Sequence, residues 1–128
     1  MPVLKTMHRL YVACEQLESS VAFYEAIQDV RCERRLSFEP MKIEVAVVGS
    51  FILLAGSDEA LAPVRHIQAA LIVDALDAYA QRLRELGATF LGETHENVAG
   101  RNMTVRHPDG LVVEYFEPAR SVAIPLGK

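Results

Sequence analysis

The chain has 128 residues and a formal net charge of −4, from 13 Lys and Arg against 17 Asp and Glu. This length favours one compact domain, and 51% hydrophobic with 23% charged residues is a globular composition, not a disordered or fibrous one. The acidic balance lacks the basic surface of a nucleic-acid binder. We therefore expect no nucleic-acid partner.

The apolar stretches of the chain are short. Those around residues 45–55 and 68–73 contain polar residues or glycine and fall far short of the roughly 20 apolar residues of a membrane span. Residues 1–5 lack the features of a signal peptide. Two cysteines, Cys14 and Cys32, are too few for a disulfide framework. We expect a cytoplasmic protein with reduced thiols and no membrane partner.

In chain order, the first predicted elements are a strand and a helix. Residues 10–13 are apolar and predict a short strand. In the segment 17–27, apolar residues recur at the three-to-four-residue spacing of an amphipathic helix. These residues are Leu17, Val21, Tyr24 and Ile27.

Three strands are predicted after this helix, at residues 30–38, 43–48 and 51–55. A glycine and a serine separate the last two, which suits a tight hairpin turn. The segment 56–63 is rich in small and turn-forming residues. It predicts a connection to the second half of the chain.

The second half repeats this order of elements. Residues 69–73 predict a strand, and residues 76–86 place apolar side chains on one face of a helix. Gly87 suits the left-handed cap that ends such a helix. Three further strands are predicted at residues 89–92, 102–106 and 111–116. Two successive βαβββ modules follow from this repeat.

We expect the two modules to form a single domain over residues 1–128. The first module covers about residues 5–56 and the second about residues 65–118, with a connection at 57–64 and a C-terminal tail at 119–128. Neither module is expected to be stable alone, because a four-stranded sheet with one helix leaves its other face uncovered.

Two segments give the chain a family resemblance: QLESSVAFY at residues 16–24 and HPDGLVVE at residues 107–114. With the paired βαβββ order, they resemble the vicinal oxygen chelate superfamily, which contains glyoxalases, extradiol dioxygenases, fosfomycin-modifying enzymes and bleomycin-sequestering proteins. The resemblance implies an α+β fold in which the modules form a curved mixed sheet, or cup, with helices outside. It also implies a small-molecule ligand in the cup and a homodimer.

Enzymatic members of this superfamily hold a divalent metal at one position in the first strand and one in the fourth strand of each module. The resemblance maps these positions onto Arg9, Leu53, Gln68 and Glu114. Leu53 takes its place from an alignment of Gly49 with Gly110. Arginine keeps its proton and repels a metal ion, and leucine has no donor atom. Only Glu114 matches, so no metal or other cofactor is expected.

A shifted register keeps a metal-site alternative open. His8 precedes Arg9 by one residue, and His66 precedes Gln68 by two. With Glu114, the two histidines supply the three ligands of a catalytic zinc-type site. Because side chains alternate along a strand, His66 shares the face of Gln68, but His8 needs a bulge to reach the face of Arg9. This alternative predicts a metal-dependent lyase, transferase or dioxygenase.

Without a metal, a few polar groups on apolar walls suit a small-molecule pocket. The predicted ligand-binding residues in the cup are Arg9, Tyr11, Phe51, Leu53, Gln68, Glu114 and Phe116. Alternation along the strands predicts that Ala70 and Val112 also line the cup. The resemblance also implies a ligand-contacting loop before the seventh strand, which makes Arg101 a further candidate to bind an anionic group. An ion pair between Arg9 and Glu114 that closes the cup is the structural alternative.

Two classes of function therefore remain. The preferred one is a glyoxalase-like or bleomycin-resistance-like protein that binds a small organic molecule without the catalytic metal. The other is an enzyme, either metal-dependent or using Glu114 as a general base. A neighbouring Arg9 disfavours the base role, because it stabilises the charged carboxylate. The sequence names no substrate.

Overall fold

The structure is a computed structural model that describes residues 3–119. It divides into two compact units, which we call the first module (residues 7–66) and the second module (residues 3–6 and 67–119). Each module has a mixed sheet and a long helix, so the predicted α+β class and the βαβββ repeat are confirmed. Of the predicted tail at 119–128, residue 119 is described, and residues 120–128 lie outside the described residues.

The strand β1 (Val3–Val12) belongs to the first module from Met7 onward, and its first residues belong to the second module. The other elements of the first module are α1 (Leu17–Gln28), β2 (Arg34–Phe38), β3 (Ile43–Val48), β4 (Phe51–Ala55) and α2 (Asp58–Leu61). Its strand order is β2-β3-β4-β1, with β1 parallel to β4 and the other pairs antiparallel. Short 3-10 turns at Cys14–Gln16 and Glu39–Met41 precede α1 and β3. The helix α2 lies in the segment predicted as a plain connection.

The helix α1 covers one face of this sheet. It buries Leu17 and Val21 against residues of β3 and β4, with Tyr24 packed beside them. Ile27, predicted on the same apolar face, is 65% exposed. At 3.6 residues per turn, ten residues from Leu17 place Ile27 about 80° away around the helix, so it lies at the edge of the apolar stripe.

The β3–β4 turn is held by the last residue of α1. Gln28 accepts a hydrogen bond from the backbone N–H of Ser50 (2.9 Å) and donates one to the carbonyl of Val48 (3.0 Å). Gly49 has a φ of +60°, and a Cβ there would collide with the Gln28 amide. Only glycine fits this turn without displacing the glutamine.

The second module contains the following elements: β5 (Ala69–Val73), α3 (Leu76–Glu85), β6 (Thr89–Phe90), β7 (His95–Asn97), β8 (Gly100–Arg106) and β9 (Val112–Pro118). Its strand order is β5-β9-β8-β6, with β7 also paired to β8. The β5–β9 pair is parallel and the other pairs are antiparallel. The short polar strand β7 was not predicted.

The helix α3 covers one face of the second sheet. Its Leu76 and Leu83 join a buried cluster that includes Val105, Val113 and Tyr115. Gly87 follows the helix with a φ of +89°, as predicted for a left-handed cap. Within residues 3–119, no helix is long and apolar enough to cross a membrane.

Candidate functional site

Each sheet has a face turned away from its long helix, and we call it the distal face. In the first module, Arg9 and Tyr11 of β1 lie on it, because Leu10 and Val12 pack on the α1 side. The β1–β4 register pairs Arg9 with Ile52 and Tyr11 with Leu54, so these β4 residues share the distal face. The helix α2 packs on part of this face through Leu61, which lies in a cluster with Leu54, Ile52 and Tyr11.

Tyr11 is the centre of a basic and aromatic group on this face. Its hydroxyl accepts a hydrogen bond from Arg9 Nε (2.8 Å) and donates one to the carbonyl oxygen of Val64 (2.7 Å). The guanidinium carbons of Arg9 and Arg65 lie 5.6 and 5.9 Å from the ring centroid. Two positive charges thus flank one aromatic ring, in the range of cation–π attraction.

Arg65 is a candidate site residue that the sequence did not predict. It follows α2 in an irregular segment, where neither periodicity nor a motif distinguishes it from other surface arginines. Arg65 Nη2 lies 3.4 Å from the carboxylate of Asp58, and both side chains are exposed. Arg65 lies beside Tyr11 because the chain after α2 returns to β1, and this contact is a feature of the tertiary structure.

The distal face of the second module carries the other predicted polar groups. The β5–β9 register pairs Ala70 with Glu114, which is half-buried. Phe116 lies two residues further along β9 on the same face. Gln68 Oε1 accepts a hydrogen bond from the N–H of Val112 (3.3 Å), so its side chain extends the strand pairing. The structure thus places Ala70, Glu114 and Phe116 on one face of the β5–β9 pair, with Gln68 just before β5.

Arg101 lies elsewhere than predicted. It belongs to β8 instead of a loop, and alternation along that strand turns it to the α3 side, away from the face of Glu114. Its guanidinium lies 2.8 Å from Asp77 and 3.7 Å from Glu117. The hydrogen bond between Asp77 and Arg101 lowers the pKa of the carboxyl and raises that of the guanidinium.

Comparison with known proteins assigns the chain to a family. A family model described as a glyoxalase-like domain matches residues 9–115. The chain belongs to this glyoxalase-like family. The predicted membership of the vicinal oxygen chelate superfamily is thereby confirmed. No curated protein matches the sequence.

Solved structures similar to this glyoxalase-like chain include both unassigned proteins and enzymes. An uncharacterised protein from Methanosarcina mazei is 38% identical, with a TM-score of 0.85 and coverage of 97% of this chain and 98% of that one. Methylmalonyl-CoA epimerase from Mycobacterium tuberculosis is 20% identical, with a TM-score of 0.68 and coverage of 93% and 91%.

A third similar structure contains a ligand. It is a single-residue variant of Streptomyces coelicolor methylmalonyl-CoA epimerase in complex with 2-nitronate-propionyl-CoA, 19% identical, with a TM-score of 0.61 and coverage of 94% and 99%. At these identities, the two epimerases show a shared fold only.

The strand register corrects one superfamily position in this glyoxalase-like protein. Leu53 is fully buried against α1, and Phe51 packs its ring 4.4 Å from that of Tyr24, so both lie on the α1 side. The distal residue of β4 equivalent to Glu114 is Leu54. The alignment of glycines failed because residues 49–50 form a two-residue turn, whereas residues 107–111 form a longer loop.

The corrected positions do not fit the metal of the superfamily. They are Arg9, Leu54, Gln68 and Glu114. A leucine again occupies the third position, and the arginine at the first position repels a cation. Among residues 3–119, no group of three or more His, Cys, Asp or Glu side chains is placed to hold a metal ion.

The shifted-register alternative requires a bulge in β1. The β1–β4 register runs without interruption from His8 to Val12, and the His8 ring stacks on Phe51 with centroids 5.5 Å apart. His8 is therefore on the α1 side, away from the face of Arg9. His66 is exposed. The metal content of the purified protein stays a prediction.

Proposed function

We propose that this glyoxalase-like protein binds a small organic anion on the distal face of its first module and without a divalent metal. The observation that carries the proposal is the pair of guanidinium groups, Arg9 and Arg65, that flank the Tyr11 ring. Planar guanidinium groups pair with carboxylate or phosphate in a two-pronged geometry, so this group favours an anionic ligand.

The surroundings of Tyr11 favour an organic ligand over an inorganic ion. Ile52, Leu36 and Val64 are partly buried apolar residues packed with Tyr11 around the core of this face. Apolar walls with a few oriented polar groups are typical of small-molecule sites. The hydrogen bonds of the Tyr11 hydroxyl hold the ring and Arg9 in a fixed relation, which lowers the entropy lost on binding.

The second module contributes to this proposal through the superfamily resemblance. Its distal face carries Glu114, Phe116 and Ala70, which were predicted to contact the ligand. A half-buried carboxylate can orient a donor group of the ligand. The role of these residues in binding stays a prediction.

The experiment is a thermal-shift and calorimetric screen of organic acids, including methylmalonyl-CoA because two structural neighbours are named as its epimerases. We expect at least one acid to bind saturably and Arg65→Gln to weaken that binding about two- to fivefold. The matched control is Arg82→Gln, which removes an exposed arginine of α3. Equal affinity of the two variants for the acid would overturn the proposed anion site. The failure of every acid in the screen to bind would overturn it as well.

Elemental analysis separates this proposal from the enzyme alternative. Protein purified without chelators and exposed to Zn²⁺, Mn²⁺, Ni²⁺ or Fe²⁺ is expected to retain less than stoichiometric metal. Stoichiometric metal in the wild type that is lost in Glu114→Ala would instead support a metal-dependent lyase, transferase or dioxygenase.

The homodimer and the cytoplasmic location are also proposals. The first rests on the superfamily resemblance and the second on the composition of the chain, which has only two cysteines. Sedimentation at micromolar concentration tests the first, and a monomer there would contradict it.

A further inference from the structure

A cavity lies on the α3 side of the second module, away from the face that carries Glu114. It has a volume of about 390 Å³ and lies between the end of α3 and the loop at residues 107–111. Small-molecule pockets commonly range from about 300 to 1,000 Å³. The cavity is therefore large enough for a ligand of about one ring.

Most of the cavity wall is apolar. Leu83 and Leu86 at the end of α3, Ala88 after it and Pro108 in the loop contribute side-chain carbon. Leu86 is 58% exposed, although the sequence predicts it on the buried face of the helix. A ring seated on these residues would remove apolar surface from water, which favours binding.

The remaining lining residues are polar and lie close together. His107 Nε2 is 2.8 Å from the hydroxyl of Tyr115, which is 4% exposed. Asp109 accepts a hydrogen bond from the N–H of Leu111 (3.1 Å), and this bond orients its carboxylate within the loop. Burial raises the pKa of Tyr115, so its phenol is neutral at neutral pH. The acidic charge of the lining comes from Asp109.

We propose that this cavity is a second ligand site, for a small organic cation with an aromatic or apolar body and an ammonium group. The body lies on Leu83, Leu86 and Pro108, and the ammonium group pairs with the carboxylate of Asp109. Charge complementarity decides the class, since no lysine or arginine lines the cavity among the described residues. The site is independent of the anion site at Tyr11, which has the opposite charge preference and lies in the other module.

The test uses benzylamine as the probe, with benzyl alcohol and benzoate as neutral and anionic analogues of the same size. In ¹H–¹⁵N spectra of the full chain at pH 7, benzylamine is expected to shift the amides of residues 86–88 and 107–111 saturably. Benzyl alcohol is expected to bind about two- to fivefold more weakly, and benzoate not at all. Benzoate binding as tightly as benzylamine would overturn the proposal, as would the absence of benzylamine shifts.

Two variants separate charge from shape. Asp109→Asn keeps an oxygen for the Leu111 N–H and is expected to weaken benzylamine binding about two- to fivefold. Ala88→Phe fills the cavity and is expected to abolish the shifts. The matched control, Asp74→Asn, removes an exposed acid outside the lining and is expected to bind as the wild type does. Equal weakening in Asp74→Asn and Asp109→Asn would show a nonspecific charge effect and refute the site.

Discussion

The hydroxyl of Tyr11 donates a 2.7 Å hydrogen bond to the carbonyl oxygen of Val64, 53 residues later in the chain. The bond joins the first strand of the first module to the segment that follows α2. It also places Arg65, the next residue after Val64, beside the Tyr11 ring. A contact distant in sequence thus assembles the basic group on which the proposed anion site depends.

Removal of the Tyr11 hydroxyl is expected to destabilise the protein. Tyr11→Phe loses the bond from Arg9 and leaves the carbonyl of Val64 without this donor, at a cost of about 1–2 kcal/mol in the free energy of unfolding. Urea denaturation measures the change. Tyr24→Phe is the control, because it keeps the ring contact with Phe51 and removes a hydroxyl outside this network. A similar loss in both variants would contradict the role assigned to the Tyr11 hydroxyl.

The start of α3 depends on a side chain from β9. Glu117 Oε1 accepts a 2.7 Å hydrogen bond from the N–H of Leu76, a backbone donor that the first helical turn leaves unpaired. Glu117→Ala is expected to lower the free energy of unfolding by about 1 kcal/mol, as loss of a helix cap does. Chemical denaturation with Glu117→Gln as the conservative variant checks this. The glutamine keeps an acceptor oxygen, so it should retain more stability than the alanine.

The ion pair between α1 and β2 is expected to be visible in the titration of Glu18. Arg35 donates two hydrogen bonds of 2.9 Å to this carboxylate, and they lower its pKa. In ¹³C NMR titrations, Arg35→Gln should raise the pKa of Glu18 towards its ordinary value. The stabilising contribution of the pair is present above the ordinary glutamate pKa and is lost as the pH falls through the lowered one. A Glu18 pKa unaffected by Arg35→Gln would show that the pair does not persist in solution.

The ionisation of Tyr115 is expected to couple stability to alkaline pH. Burial raises the pKa of its phenol, so the folded chain keeps a proton that the unfolded chain releases above about pH 10. The contribution is full below that pH, and the free energy of unfolding falls as the pH rises towards the raised pKa. Urea denaturation between pH 8 and pH 11 measures the slope. Tyr115→Phe should have the shallower slope, and identical slopes would contradict the prediction.

Local periodicity predicted the interior elements well. The strands Ile43–Val48, Phe51–Ala55 and Ala69–Val73 have the bounds predicted for them, because apolar runs between turn residues mark both ends. The first strand is longer than predicted and begins at Val3, and β2 begins at Arg34 instead of residue 30. Strand ends with mixed polarity carry no such signal, since pairing partners define them.

The sequence predicted the sheet face of some strand residues correctly and of others wrongly. In the second module, the shared face of Glu114 and Phe116 follows from alternation within β9 alone. In the first module, Leu53 and Phe51 are on the other face from the one predicted. The error came from transferring a position across turns of unequal length. A shift of one residue along a strand moves every side chain to the other face of the sheet.

The sequence by itself determined the repeated βαβββ order, the superfamily and the poor fit of its metal positions, because these depend on local patterns and on residue chemistry. Tertiary structure decided that Leu54 takes the place of Leu53, that Arg101 pairs with Asp77, and that Arg65 joins Tyr11. Each of these depends on which distant segments meet. The strand register and the path of the chain between elements set these contacts, and no residue spacing in the sequence encodes them directly.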